Sequence, residues 1–461
     1  MVRLNEYNRL LAQKMPRSTA SLRLRTALAC LVLFACACTQ KRAAHVPAES
    51  PPLRTAFRVE QRDGQWSFID PLGERFFSIG INCINPVDPE QVAGPKYDGL
   101  ARHNGDLARW ENAARVRLRD WHVNTIGAWS SLRGRPYVVE LSLSYSWIDV
   151  FGEEFESYVE EAARKALQRP DIASDFSALD QDAMLIGYFT DNELAWGWDY
   201  GWAGEKQLSL FEYYASLESS SAGKKAWVRY LSDVYQNNWN EFSRIWNVTV
   251  GKPDDLGKVV KLAPRSPAHR PAAQHVADGF LGLVAERYFK VTSSVMRQRL
   301  PSRLNLGCRF TPGVPQVVAE IASRYVDAIS YNMYTRDLEA FRSELTRLHA
   351  ITQKPILVTE FAFLARVNRS GNKNEGYDQV VVGDDQKRAL WYTRSTEMLG
   401  DLPFVVGFHW FQFHDEPTNG RKDGESCNFG FVDLEDRVYD DLARAAARAN
   451  ARVLKGRMAN P

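Results

Sequence analysis

Gly187-Tyr188-Phe189-Thr190-Asp191-Asn192-Glu193-Leu194-Ala195-Trp196-Gly197 is the stretch on which the reading of this chain turns. An apolar run, 185–191, gives way to Asp191, Asn192 and Glu193 where a loop begins. Ile356-Leu357-Val358-Thr359-Glu360-Phe361 repeats the arrangement, again with a carboxylate where an apolar run stops. Short runs that are apolar almost throughout predict strands of a parallel sheet covered on both faces. In closed sheets of that kind, side chains at the C-terminal strand ends carry the chemistry.

Six further runs of the same character lie around these two. They are 75–84, 123–130, 137–144, 304–310, 327–334 and 404–413. Helix-period segments separate most of them, at 107–121, 153–168, 207–246 with 279–299, 315–325, 337–350 and 384–400, and 437–454 closes the chain. Little helix separates the second run from the third. Phe57–Glu60 and Trp66–Ile69 bracket Asp63-Gly64, which predicts a β-hairpin. The fold class expected is α/β: a (β/α)8 TIM barrel with a short N-terminal β-hairpin and a helical insertion after strand 4.

The first 38 residues predict an export signal. Basic residues lead into Thr26–Cys38 (TALACLVLFACAC), too short to span a bilayer and suited to the apolar region of a signal peptide. A start at Met15 gives that signal ordinary proportions. Leu33-Phe34-Ala35-Cys36 resembles a bacterial lipobox, so Cys36 or Cys38 is the expected lipidated residue, and the protein an outer-membrane lipoprotein. Ala35-Cys36-Ala37 also suits ordinary signal peptidase and release to the periplasm or medium. Residues 39–54, polar and Pro-rich, read as a flexible tether, and 55–461 as the barrel.

Composition narrows the class of partner. The 461 residues are 45% hydrophobic and 25% charged, as in a folded globular chain, with net charge +2. The first 40 residues hold six basic side chains against one acid, so the rest is slightly acidic and offers no footprint for nucleic acid. Thirteen Trp and eighteen Tyr are enough to build a sugar site, since flat apolar faces stack on pyranose rings. Cys83, Cys308 and Cys427 lie beside strands; they read as small core residues or as one disulfide and a free thiol. The eight His are scattered, with only His409 and His414 near one strand end, and no Gly-rich phosphate loop follows a strand. Neither a metal nor a cofactor is expected.

Strands four and seven of a barrel face each other across its mouth, so Glu193 and Glu360 can work as a pair. A retaining glycosidase needs two carboxylates about 5–5.5 Å apart, one as nucleophile and one as acid and then base. A lone strand-end Glu is more often an ion-pair partner, but Asn-Glu after strand four with Glu after strand seven is a far more specific signal. The motifs narrow it further. Arg75-Phe76-Phe77-Ser78-Ile79-Gly80-Ile81-Asn82-Cys83, the stretch 187–197, Leu306-Gly307-Cys308-Arg309-Phe310 and the long segment from His409 to Asp433 resemble the β-agarases of glycoside hydrolase family 50, in clan A. The resemblance covers about residues 57–450. The segment 187–197 is also shared with family 42 β-galactosidases, and 361–383 departs from the FHFG-type continuation of typical family 50 members.

The resemblance implies Glu193 as acid/base, Glu360 as nucleophile, and a galactan or its oligosaccharides as substrate. An acid that works near neutral pH must hold its proton, which apolar cover from Trp196 and Trp198 and the nearby Glu360 charge would favour. Asn192 is placed to bind the sugar 2-OH, and Trp410 to floor the sugar at the cleavage point. Tyr331, Asn332 and Tyr334 end strand six, and one of them is expected to orient Glu360. Asn82, Trp129, Arg309 and His409 are further strand-end candidates for binding substrate, each equally suited to a structural role. Asp415, Arg421, Asp423 and Glu425 read as an ion-pair network in a loop. Two other readings stand beside this one: a β-galactosidase or hydrolase of another β-linked glycan, and a non-catalytic glycan-binding lipoprotein. Retention of both Glu favours catalysis.

Overall fold

The computed structural model describes residues 56–144, 149–172, 174–196 and 209–458. The signal, tether, Cys36, Cys38 and Trp198 lie outside them. Eight parallel strands form one sheet: β1 (Ser78–Ile81), β2 (Thr125–Ile126), β3 (Tyr137–Glu140), β4 (Leu185–Phe189), β5 (Leu304–Asn305), β6 (Ile329–Asn332), β7 (Ile356–Glu360) and β8 (Val405–Trp410). Their order is β5-β4-β3-β2-β1-β8-β7-β6. The ring closes between β5 and β6, where Asn305 O accepts from Asp327 N at 2.8 Å and Asn332 N donates to Phe310 O at 2.7 Å. The architecture is the (β/α)8 barrel, each strand lying inside an expected apolar run.

Alternation along the strands divides the apolar residues into two layers. Ala128, Val138, Ile186, Phe189, Leu306, Ala328, Leu357 and Val406 pack together inside the barrel. Ile79, Tyr137, Val139, Tyr188, Val358 and Phe408 belong to the larger layer under the helices. The hairpin Arg58–Arg62/Gln65–Ile69 turns through Asp63 and Gly64, both at positive φ. It contributes Phe57 and Phe68 to the inner cluster, each worth about 1.5–3 kcal/mol of burial. Trp66 N donates to Pro403 O, just before β8, which places the hairpin at the N-terminal end of the barrel.

One detail differs from the expected pattern. Arg75 and Phe76 pair antiparallel with Ile69 and Phe68, so they extend the hairpin sheet and β1 begins at Ser78. Phe76 meets Phe57 edge-on, which favours that assignment. No helix lies between β2 and β3. The connection after β4 holds the helices Leu210–Ser216, Ala222–Tyr235, Trp239–Ile245 and Arg270–Arg299, the expected insertion. Arg270–Arg299 buries fifteen of its residues, because both the barrel and the insertion pack on it. Cys83, Cys308 and Cys427 are all free thiols.

Candidate active site

The exits of β4 and β5 are zipped together. Thr190 N donates to Gly307 O at 2.8 Å, and Glu193 N to Arg309 O at 3.3 Å. Asp191 lies beneath, fully buried, accepting from Ser144 N at 2.7 Å and from the Tyr288 hydroxyl. Burial pushes its carboxyl well above the usual range, so it is a structural anchor for the turn. Above it Glu193 sits at φ 53°, a left-handed conformation uncommon outside glycine. The turn lifts its carboxylate into the mouth of the barrel.

Glu193 Oε1 accepts from Asn332 Nδ2 at 2.8 Å, and the same amide reaches Asn192 Oδ1 at 3.2 Å. Thr359 Oγ1 donates to Asn332 Oδ1 at 2.6 Å, which fixes the direction of that amide. Arg309 joins this group to the second carboxylate. Its Nε donates to Asn192 Oδ1 at 2.7 Å, and its Nη2 pairs with Glu360 Oε1. The guanidinium has no exposed surface and lies over the faces of Trp129 and Phe189, at 4.6 and 4.9 Å from the ring centroids. Such a sandwich suits a planar delocalised cation better than an ammonium. Glu360 Oε2 accepts from Tyr334 OH at 2.6 Å. Burial, and then the Glu360 charge, push the Tyr334 phenol far up, so it remains a donor.

The two carboxylates therefore have different surroundings. Glu360 is nearly buried and is held by a cation and a phenol. Glu193 is half-buried and faces a neutral amide. Both line one cavity of about 780 Å³, with Asn192, Asn332, Trp129, Tyr334, Tyr377, Phe411 and Gln412 among its walls. That is room for a sugar unit and its neighbours rather than for a water or an ion.

Glu193, Glu360, Asn192, Asn332, Trp129 and Arg309 are brought together, with Arg309 behind the wall rather than on it. Five other expected binding residues lie elsewhere. Trp410 faces the helix layer: its indole N–H donates to Phe429 O at 2.8 Å, and its ring packs on Phe361, Tyr392 and Phe431. Phe411, one residue on, faces the cavity instead. Trp196 stacks on Phe289 and meets Tyr288 edge-on, so it ties the β4 loop to the long helix. Tyr331 points outward and donates to Glu344 at 3.2 Å. Asn82 is buried, donating to Thr359 O and accepting from Ala128 N. His409 lies below the mouth, 2.9 Å from Ser78 Oγ; its ring leaves no space for a side chain at Gly80, whose Cβ would sit 2.4 Å from it. Among the strand-six residues, Tyr334 is the one whose side chain bonds the Glu360 carboxylate.

The loop after β8 holds the expected ion pairs in altered form. Arg421 pairs with Glu416 at 3.2 Å, Asp423 at 3.0 Å and Glu425 at 3.5 Å. Asp415 belongs to another group, accepting from Ser370 and Tyr439 hydroxyls and from Gly430 N. Glu416 and Tyr377 were not singled out from sequence. Tyr377 donates to Glu425 at 2.6 Å and meets Tyr334 edge-on at 5.3 Å, linking this loop to Glu360.

Residues 313–428 match the family described as the glycosyl hydrolase catalytic core. The chain is 26% identical to β-agarase B of Vibrio sp. (strain JT0107) over 487 residues, covering 87% of this chain and 49% of that one. It is 26% identical to β-agarase A of the same organism over 454 residues, covering 84% and 44%. The chain thus spans about half the length of the curated relatives it matches. Among solved structures it is similar to an exo-β-agarase, with TM-score 0.70 at 22% identity over 88% of this chain and 66% of that one. It is also similar to the agarase AgWH50C, with TM-score 0.71 at 23% identity over 88% and 66%. A third similar structure, PfGH50B, gives TM-score 0.72 at 21% identity over 89% and 68%.

Proposed function

From the premise that this chain is a β-agarase-like protein with the fold of glycoside hydrolase family 50, we propose that it is a retaining β-glycoside hydrolase acting on agarose-type galactans or their oligosaccharides. The observation that carries the reading is the unequal setting of two carboxylates in one cavity, Glu360 held by Arg309 and Tyr334, and Glu193 by Asn332. The names of the relatives support the substrate class.

In this mechanism Glu360 attacks the anomeric carbon while Glu193 gives its proton to the departing glycosidic oxygen. A covalent glycosyl-enzyme forms on Glu360. Glu193, now ionised, takes a proton from water, which attacks the same carbon and restores both groups. Arg309 and Tyr334 keep the Glu360 carboxylate aimed before attack, and Asn192 binds the hydroxyl beside the reacting carbon.

Glu193→Ala tests the assignment. Substrates with a sugar alcohol as leaving group need protonation and lose most activity. A galactoside with a good phenolate leaving group keeps its first step, and glycosyl-enzyme accumulates. Azide needs no base, so it restores turnover and gives the β-azide. An α-azide would instead indicate an inverting enzyme, with carboxylates about 6.5–9.5 Å apart. Equal loss on both substrates with no azide rescue would assign Glu193 to structure.

A further inference from the structure

Thr359 and Glu360 are neighbours in sequence, yet both turn toward the inside of the barrel. Along β7, Leu357 belongs to the inner cluster and Val358 to the layer under the helices. Alternation then puts Thr359 inside and would put Glu360 outside. The register against β6 slips at this point. Val358 pairs with Tyr331 and Glu360 with Asn332, so Thr359 is the extra residue of a bulge. Bulges beside active sites re-aim a side chain. Glu360 thereby reaches the cavity, and Thr359 stays beneath it with no exposed surface.

The Thr359 hydroxyl acts on Glu193 through one amide. It donates to Asn332 Oδ1 at 2.6 Å, which leaves Asn332 Nδ2 for Glu193 Oε1 at 2.8 Å and Asn192 Oδ1 at 3.2 Å. The far end of this chain is fixed as well. Asn192 Oδ1 accepts from Arg309 Nε at 2.7 Å, and a guanidinium can only donate, so the Asn192 atom between Arg309 and Asn332 is the oxygen. Thr359 and Arg309, from two different strands, set the same direction for the Asn332 amide. The consequence falls on Glu193. Its Oε1 meets an N–H, and an oxygen that accepts there does not also carry the acid proton. That proton is on Oε2. Turned the other way, the amide would offer its oxygen, and Glu193 would spend its proton on Asn332 instead of on substrate.

We propose that Thr359 is a positioning residue for the acid/base: its hydroxyl locks the Asn332 amide so that Glu193 keeps its transferable proton on Oε2. In the first step the Oε2–H bond breaks and the proton passes to the glycosidic oxygen. The bond from that oxygen to the anomeric carbon breaks as Glu360 attacks, and Glu193 is left as a carboxylate. In the second step the same Oε2 takes the proton of the attacking water, while Asn332 still donates to Oε1. This role rests on the retaining reading above and adds what sets the geometry of its acid.

The leaving-group dependence of kcat/KM, which reports the first step alone, tests it. Three substrates share one agarose-derived disaccharide as the transferred unit: its dinitrophenyl glycoside, its phenyl glycoside, and a tetrasaccharide whose leaving group is a sugar. Thr359→Val keeps the shape and removes the hydroxyl. It lowers kcat/KM about tenfold on the tetrasaccharide and the phenyl glycoside, which need protonation, and less than about twofold on the dinitrophenyl glycoside, which does not. Thr359→Ser returns the hydroxyl and recovers most of the loss. Asn332→Asp puts an acceptor where the N–H was; it shows the same selective loss and carries the test if the Val variant folds poorly. Equal loss on all three substrates, parental rates in Thr359→Val, or no recovery in Thr359→Ser overturns the role while leaving Glu193 and Glu360 as assigned. A wild type that turns over none of the three removes the galactan reading, and the role of Thr359 with it.

Discussion

The two ends of the barrel are built from the same strands and loops, yet they treat the backbone differently. At the N-terminal end, left-handed residues occur in ordinary places. His122 and Gln353 lie where a helix stops before β2 and β7, and Asp63 lies in the hairpin turn. At the C-terminal end, five strands in succession leave the sheet through a left-handed residue: Cys83, Trp129, Ser142, Glu193 and Arg309, at φ between 51° and 58°. None is glycine and two are large. Each such residue costs on the order of 1–3 kcal/mol unless its neighbours hold it. Here they do. Cys83 N donates to Ala128 O, Ser142 N to Glu140, Glu193 N to Arg309 O and Arg309 N to Ser330 Oγ. A positive φ at the base ends a helix or closes a hairpin, whereas at the mouth three of the five such residues, Cys83, Trp129 and Glu193, line the cavity.

The largest test of that contrast is at the mouth. Glu360→Gln keeps the shape and removes the attacking charge, and lowers kcat at least about 10⁴-fold. In the wild type, a 2-deoxy-2-fluoro galactoside with a good leaving group labels Glu360, as read by peptide mass. Labelling at any other carboxylate reassigns the nucleophile.

A second test lies just beneath the mouth and is read as stability. Burial, and then the Arg309 charge, lower the His409 pKa from 6.5 to about 3. The unfolded chain therefore binds a proton between these values while the folded chain does not. The contribution of His409 is fully present above pH 6.5 and is lost as pH falls toward 3, by roughly 5 kcal/mol. Asp415, raised to about 6 by burial, acts with the opposite sign, destabilising the fold as pH rises from about 4 to 6. The comparison must therefore be between wild type and His409→Gln at each pH. Urea denaturation at pH 7.5 and pH 4.5 shows a smaller acid loss in the variant. Equal losses in both would mean that His409 is not held neutral.

The smallest effect is at the base. Gln353→Gly relieves the left-handed C-cap and stabilises the fold by up to about 1 kcal/mol, less the bond from its side chain to Ala350 O. Turnover is unchanged. A rise in the thermal midpoint with altered kcat would break the division between the two ends.

Much of the fold was legible because it depends on composition over several residues. The strand runs, the Asp63-Gly64 turn and the long insertion each survive an error of two residues. The site does not. Register slips by a bulge between Ile356 and Leu357 against β8, and again between Val358 and Glu360 against β6. One residue of slip exchanges inside for outside, which is why Trp410 faces the helices and Phe411 the cavity. Tyr377 sits between the short strands Leu364–Ala365 and Val381–Val382, in a stretch without helical or strand period. Its contact with Tyr334 depends on how that loop folds back, which no local pattern encodes. Arg309 is legible as a strand-end cation, but its sandwich between Trp129 and Phe189 joins three separate strands.

Arg457, near the end of the last helix, donates to Leu402 O, Val405 O and Trp66 O at 2.7–3.0 Å. The bond to Trp66 spans 391 residues of chain. One guanidinium thus acts as a clasp between the hairpin sheet and the helix that carries it, and it cannot engage until the chain has been made as far as residue 457. Contacts of such long range form slowly, because the intervening loop must be closed first. A chain emerging from its N-terminus would hold its hairpin unlatched, with Phe57 and Phe68 lacking their full cover, until that residue is made.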